Sequence, residues 1–179
     1  KWVRPTGMIY EKFDESMVVK ADQLPKIEDF EEFTIGLDFA LNMAAVLIGW
    51  IGDKIYIIDD YGSYNMTSEM FNAEIIGRWK DYLPKLAYIY CDPSGGERIQ
   101  NIYNGIKANN SVEPGLDSVS NYMEKDRFVI CDRCTGVLTE LYNYRRDELG
   151  RIIKENDHFM DGLRYGIFSR VSGGIIALV

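Results

Sequence analysis

Two aspartates that close apolar runs, and a third beside a histidine on a late stretch, could together hold divalent metal. Asp38 follows Thr34-Ile35-Gly36-Leu37, and Asp92 follows Ala87-Tyr88-Ile89-Tyr90-Cys91. His158 and Asp161 stand three residues apart in Asp157-His158-Phe159-Met160-Asp161-Gly162-Leu163-Arg164-Tyr165, so a helix there carries both on one face. Carboxylate oxygens are hard donors that suit magnesium or manganese. A shared carboxylate can bridge two such ions, the arrangement used for in-line phosphoryl displacement. Each residue also has a structural reading. Asp38 and Asp92 could serve strand-end turns. Asp157 could cap a helix, Asp161 could answer the helix dipole, and His158 could be an ordinary half-buried histidine. Asp59-Asp60 reads as solvated charge at a strand end.

Thr34 to Phe39, Ala44 to Ile51 and Lys54 to Tyr61 read as three strands joined by short links, hence an antiparallel meander. Thr67 caps a helix whose apolar residues Phe71, Ile75, Ile76, Trp79, Tyr82 and Leu83 recur at helical spacing up to Pro84. Leu86 to Cys91 is then a buried strand reached by a crossover, so parallel to the first. In open α/β sheets ligands gather beyond the carboxyl ends of such strands, where Asp38 and Asp92 fall. Helices are expected over Glu97 to Lys107, Leu116 to Glu124 and Gly136 to Tyr142, with Ser111 to Glu113 a short strand and Arg127 to Cys131 extended. A hairpin is expected over Tyr144 to Lys154. The last helix should run from about Asp157 to Arg170, broken at Ser172-Gly173-Gly174.

The chain of 179 residues is 46% hydrophobic and 27% charged, enough for one core. No apolar run is long enough to span a bilayer, and the start is neither an initiator Met nor a signal peptide, as for a domain cut from a longer protein. A net charge of -8 opposes tight binding of a polyanion, so affinity for DNA must come from a local basic group. The densest such group is Arg145, Arg146, Arg151 and Lys154, which could equally pair with Asp147, Glu148 and Glu155. The three cysteines, Cys91, Cys131 and Cys134, form no zinc-binding set, because a lone CxxC wants two further ligands. The sequence carries no ATPase phosphate-binding loop and no GxSxG.

The combination of Gly36-Leu37-Asp38-Phe39, the Ala44 to Trp50 strand, Asp92-Pro93-Ser94 and the DHxxDxxRY block at Asp157 to Tyr165 resembles the nuclease domain of tailed-phage terminase large subunits. The resemblance implies an α/β, RNase H-like mixed sheet flanked by helices, with an inserted β-hairpin near the DNA path. It implies residues 33–171 as the nuclease domain, 1–32 as a linker from an ATPase domain and 172–179 as a tail. It implies an endonuclease cutting concatemeric double-stranded DNA with two Mg2+ or Mn2+ ions on Asp38, Asp92 and Asp161. His158 would be an auxiliary ligand or proton carrier. The implied partners are the ATPase domain, a small terminase subunit and a portal, in the host cytoplasm. Two other readings are another RNase H-like enzyme, such as a resolvase or transposase core, and a non-catalytic docking domain of the same fold.

Overall fold

The computed structural model describes residues 6–176, with side chains described to Gly173. The expected meander is β2 (Glu32–Asp38), β3 (Asn42–Ile51) and β4 (Lys54–Tyr64), and a short pairing strand, β1 (Val18–Val19), precedes it. With β5 (Leu86–Cys91), β6 (Gly105–Lys107) and β7 (Phe128–Cys131) they form one sheet in the order β1-β7-β4-β3-β2-β5-β6. β2, β3 and β4 are antiparallel, and the β2–β5, β5–β6, β4–β7 and β1–β7 pairs are parallel. Among the described residues no helix is long and apolar enough to cross a membrane.

Side chains alternate between faces along a strand, and β2 uses this to do two jobs. Phe33, Ile35 and Leu37 enter a core on one face with Ala45 and Leu47 of β3 and Phe71, Ile75 and Trp79 of the α1 region. That helix, α1 (Ser68–Arg78), is capped as expected, Thr67 Oγ1 accepting from Met70 N at 3.2 Å. Thr34, Gly36 and Asp38 face the other side, where α4 (His158–Ile176) lies directly on the sheet. Thr34 Oγ1 donates to Gly166 O at 3.0 Å and accepts from Trp50 Nε1 at 2.9 Å. A Cβ on Gly36 would stand 1.7 Å from Gly162 O and 2.6 Å from Gly166 N, so helix and strand touch backbone to backbone. Around α4 a second core gathers Val46, Ile48, Trp50 and Ile130 of the sheet, with Leu116 and Val119 of α2 (Val112–Glu124) and Val137 and Leu141 of α3 (Thr135–Asn143).

Several local expectations are corrected. Glu97 to Lys107 is no helix: Pro93–Asn101 winds as 3-10 turns interrupted at Gly96 (φ 54°), and Gly105–Lys107 pairs with β5. The open edge of β5 offers ladder hydrogen bonds that outweigh the helical spacing of Ile99, Ile102 and Ile106. Ser111 to Glu113 is no strand, because α2 starts at Val112 and takes Pro114 in its first turn, where a missing N–H costs nothing. α4 does not break at Ser172 but runs to Ile176. The hairpin is held by one bridge, Arg146 to Ile152, with Gly150 turning at φ 78°. Within residues 1–32, expected as a linker, Tyr10 and Phe13 pack into one core and Phe30 into the other. Residues 1–5, and 177–179 of the expected tail, lie outside the described residues.

Candidate active site

The register of β2 and β5 sets two of the aspartates side by side. Leu37 pairs with Cys91, so the chains leave the sheet together at Asp38 and Asp92. Asp92 N donates to Leu37 O at 2.8 Å, fixing that exit. The glycine contact between β2 and α4 then brings the first turn of α4 over the same edge. His158 Nδ1 shares a hydrogen bond of 2.8 Å with Asp38 Oδ2 across 120 residues of chain.

Asp38 is buried, and its carboxyl is pushed up to about 7. Burial is the largest cause, and the negative charges of Asp161 and Asp92 add to it against the lowering hydrogen bond from His158. Asp161 is also raised, first by burial, with Arg164 and Lys154 opposing. The three aspartates thus share one electrostatic neighbourhood. Their oxygens are nevertheless turned to separate partners. Asp92 accepts from Ser94 N at 2.9 Å and Ser94 Oγ at 2.6 Å. Asp161 accepts from Arg164 Nη2 at 3.1 Å, and Lys154 Nζ stands 4.0 Å away. In these orientations no three His, Cys, Asp or Glu side chains among the described residues form a group able to hold a metal ion.

Open clefts flank the strand end. One, of about 550 Å³, is lined by His158, Asp60, Glu140, Arg78, Arg133 and Tyr64 among others. Another, of about 590 Å³, is lined by Phe39, Leu41, Ser68, Arg98 and Asn101 among others.

Arg164, the arginine of the DHxxDxxRY block, is fully buried and packs against Gly115. Besides Asp161 it reaches Asn110 Oδ1 at 3.4 Å. Its spacing of three from Asp161 is the signal that could have marked it as that carboxylate's holder. Asp59 and Asp60, expected to be solvated, are both buried. A bulge between Leu47 and Ile48 in the β3–β4 pairing precedes them. Asp59 accepts from Arg78 Nε at 3.0 Å and Trp79 Nε1 at 2.9 Å, holding the end of α1. Asp60 accepts from Val137 N at 2.7 Å, capping α3. Glu140 of α3, which no spacing singled out, is buried and accepts from Met160 N at 2.9 Å.

Of the basic group, Arg146 is bound to Glu113 through both Nη1 (3.0 Å) and Nη2 (2.8 Å). Arg151 pairs with Asp147 at 2.9 Å and Lys154 with Asp157 at 3.2 Å. Arg145 forms no ion pair with a described residue. Cys91, Cys131 and Cys134 are buried free thiols.

Three buried carboxyls are raised above the ordinary carboxylate range: Asp38 to about 7, Asp60 to about 6 and Glu140 to about 8, each chiefly by burial. The native protein therefore keeps protons that the unfolded chain has released by pH 5. Their stabilising contribution is full below about pH 4 and is lost as pH rises towards 8. In EDTA the melting temperature should be higher at pH 5.5 than at pH 8.5, by a free energy of about 2 kcal/mol or more, since one pKa unit is worth about 1.4 kcal/mol. A melting temperature that rises over that interval would contradict these assignments.

No family model matches the chain. Over 62 residues it is 39% identical to the terminase large subunit of Enterobacteria phage LP7, a match spanning 35% of this chain and 13% of that protein. Among solved structures it superposes on the large terminase of a thermophilic bacteriophage in complex with ADP with a TM-score of 0.82 at 23% identity, over 96% of this chain and 46% of that one. The P22 large terminase nuclease domain gives a TM-score of 0.74 at 21% identity, over 94% and 95% of the two chains. The large terminase nuclease domain of bacteriophage SPP1 with bound Mn gives 0.65 at 22%, over 90% and 98%. The fold is RNase H-like, and the chain spans under half the length of the large terminase it superposes on.

Proposed function

We propose, from the chain's likeness to terminase large subunits in sequence and to their nuclease domains in fold, that it is such a nuclease domain. It would cut concatemeric phage DNA during genome packaging, in the host cytoplasm. The observation that carries this reading is the meeting of Asp38, Asp92, Asp161 and His158 at one sheet edge, from three separate elements. The donor set suits Mg2+ or Mn2+: the oxygens are hard, and a cation offsets the burial and the neighbouring negative charges that push Asp38 up to about 7. Asp38, Asp92 and Asp161 would hold two ions, Asp92 after turning from Ser94 and Asp161 through the oxygen that Lys154 approaches.

When bound, such ions supply a water of lowered pKa and stabilise the leaving 3′ oxygen. The chain's residues do the rest. His158 fixes the orientation of the Asp38 carboxylate and stands in the open cleft, where a proton can be passed on. Arg164, itself held by Asn110, keeps Asp161 aimed at the edge. Duplex DNA would be steered by Arg145 and the neighbouring Arg146, Arg151 and Lys154, the last three at the cost of exchanging a carboxylate for a phosphate. That exchange, with the net charge of -8, makes binding by this domain weak and strongly salt-dependent. The ATPase domain of the same large subunit, the small subunit and the portal would supply the remaining grip.

Plasmid DNA incubated with the protein should be nicked and linearised with Mn2+ or Mg2+. It should stay intact with Ca2+, whose larger and looser oxygen shell places the attacking water poorly. Cutting that persists in EDTA would exclude the metal mechanism. The internal satisfaction of all three carboxylates favours a second reading, a non-catalytic docking domain. Failure to cut with every divalent ion would select it.

A further inference from the structure

A helix leaves its first N–H groups without intrahelical partners. In α4 these belong to the turn that carries His158 and Asp161, and they are not satisfied from within the helix. Met160 N donates to Glu140 Oε2 at 2.9 Å, and the amide of Phe159 also bonds to that carboxyl. Asp157, the residue in the capping position, is committed to Lys154 at 3.2 Å. Glu140 is buried on α3, and α3 is itself tied to the sheet, its Val137 N donating to Asp60 Oδ2 at 2.7 Å. A line of backbone-to-carboxylate bonds therefore runs from β4 through α3 to the start of α4.

A second contact acts on the same turn. The ring of Phe159 sits between two glycines on those two elements. A Cβ on Gly62 of β4 would stand 2.7 Å from Phe159 Cζ, and one on Gly136 of α3 would stand 2.5 Å from Phe159 Cε2. The Gly36–Gly162–Gly166 contact fixes how closely α4 lies on β2, while contacts with α3 and β4 act on its first turn. The Phe159 slot and the Glu140 bond oppose rotation of that turn. Phe159 follows His158 directly and precedes Asp161 by two, so a small rotation there moves both away from Asp38.

We propose that Glu140 is a positioning residue for the nuclease site, holding the first turn of α4 so that His158 and Asp161 face Asp38. This rests on the nuclease reading above, and its action is indirect, through the amides of the first turn of α4.

The test compares Glu140→Ala, which leaves two buried amides without acceptors, with Glu140→Gln, whose side-chain oxygen can still accept. All proteins are studied well below their melting temperatures. In Glu140→Ala, Mn2+ affinity, read from the electron paramagnetic signal of free Mn2+, should fall about tenfold or more, the usual effect of losing an outer partner of a metal ligand. The kcat for plasmid cutting should fall with it while KM for DNA is unchanged. In metal-free protein, amide exchange at Phe159 and Met160 should quicken and the His158 ring resonances should shift. Glu140→Gln should stay within about threefold of wild type in affinity and kcat. Gly136→Ala, which crowds Phe159 out of its slot, should reproduce the alanine signature without touching the carboxyl, and it decides the matter if Glu140→Ala does not fold. Wild-type Mn2+ affinity and unshifted His158 resonances in folded Glu140→Ala or, failing that, in Gly136→Ala would overturn the proposal. So would a Glu140→Gln protein as impaired as the alanine variant. A wild-type protein that neither binds Mn2+ nor cuts DNA overturns the nuclease reading instead. The exchange rates and His158 resonances still decide whether Glu140 positions the turn.

Discussion

Asp38→Asn should abolish cleavage and, without metal, raise the melting temperature. The two effects have one origin. Asp38 is buried beside two further carboxylates, and its own carboxyl titrates near 7 instead of near 4. At pH 8 the native protein therefore keeps a charge that it would be more stable without. The amide of asparagine is neutral, matches the carboxylate in shape and still accepts a bond from His158. The gain should be about 1–2 kcal/mol at pH 8 and smaller at pH 6, where Asp38 is largely protonated already. For activity the same change removes what we propose to be the central anionic ligand. A bound metal contributes several kcal/mol of charge stabilisation. Because 1.36 kcal/mol is a factor of ten, its loss should cost about 10³-fold in rate. Plasmid cutting with Mn2+ and thermal unfolding in EDTA measure the pair. Cutting at the wild-type rate removes Asp38 from the site, and a lowered melting temperature at pH 8 makes its carboxylate a structural group.

Gly36→Ala should be the most damaging single methyl group in the fold. Its Cβ would meet Gly162 O at 1.7 Å and Gly166 N at 2.6 Å, both backbone atoms of a helix that cannot turn aside as a side chain can. The helix must lift from β2, breaking the Thr34–Gly166 bond and opening the packing of Leu163 and Ile167, both fully buried. Overpacking alone costs about 1–3 kcal/mol, and the loss of helix–sheet contact should bring the total above about 4 kcal/mol, where a single change becomes exceptional. Gly77→Ala is the control. That glycine lies on α1 with nothing within 4 Å of the added atom, so the same methyl should stabilise by about 0.5–1 kcal/mol. Chemical denaturation of the two variants separates the effects. A Gly36→Ala protein within about 1 kcal/mol of wild type, on the scale of an ordinary point change, would mean that the backbone contact is not as close as described.

The strands that lead to Asp38 and Asp92 were legible because each is short, apolar and closes at or just before its aspartate, and the spacing of His158 and Asp161 set both on one face of the last helix. What escaped depended on partners remote in sequence. Glu140 looks like any glutamate of a surface helix until α4 is laid over it. Asp59-Asp60 looks solvated until α1 and α3 arrive to donate to it. The stretch from Glu97 to Lys107 carries a helical spacing, and only the vacant edge of β5 explains why Gly105–Lys107 is a strand instead. Ser111 to Glu113 reads as a strand stopping before Pro114, yet a proline in a first helical turn costs nothing, and Gly115 is where the aliphatic stem of Arg164 needs room. Periodicity reports which residues are buried, but not which distant amide or carboxylate they are buried against.

The seating of α4 on β2 also orders events in time. Thr34 and Gly166 are 132 residues apart, and Asp38 and His158 are 120. At a translation rate of about 5–20 residues per second, the ribosome makes the first aspartate roughly ten seconds before the helix that completes its surroundings. During that interval the meander can pair with itself, but Gly36 of β2 still lacks the helix that packs on it. Over that interval the carboxylates stay unassembled. On the proposed function, cutting competence would arrive in one step, when α4 docks.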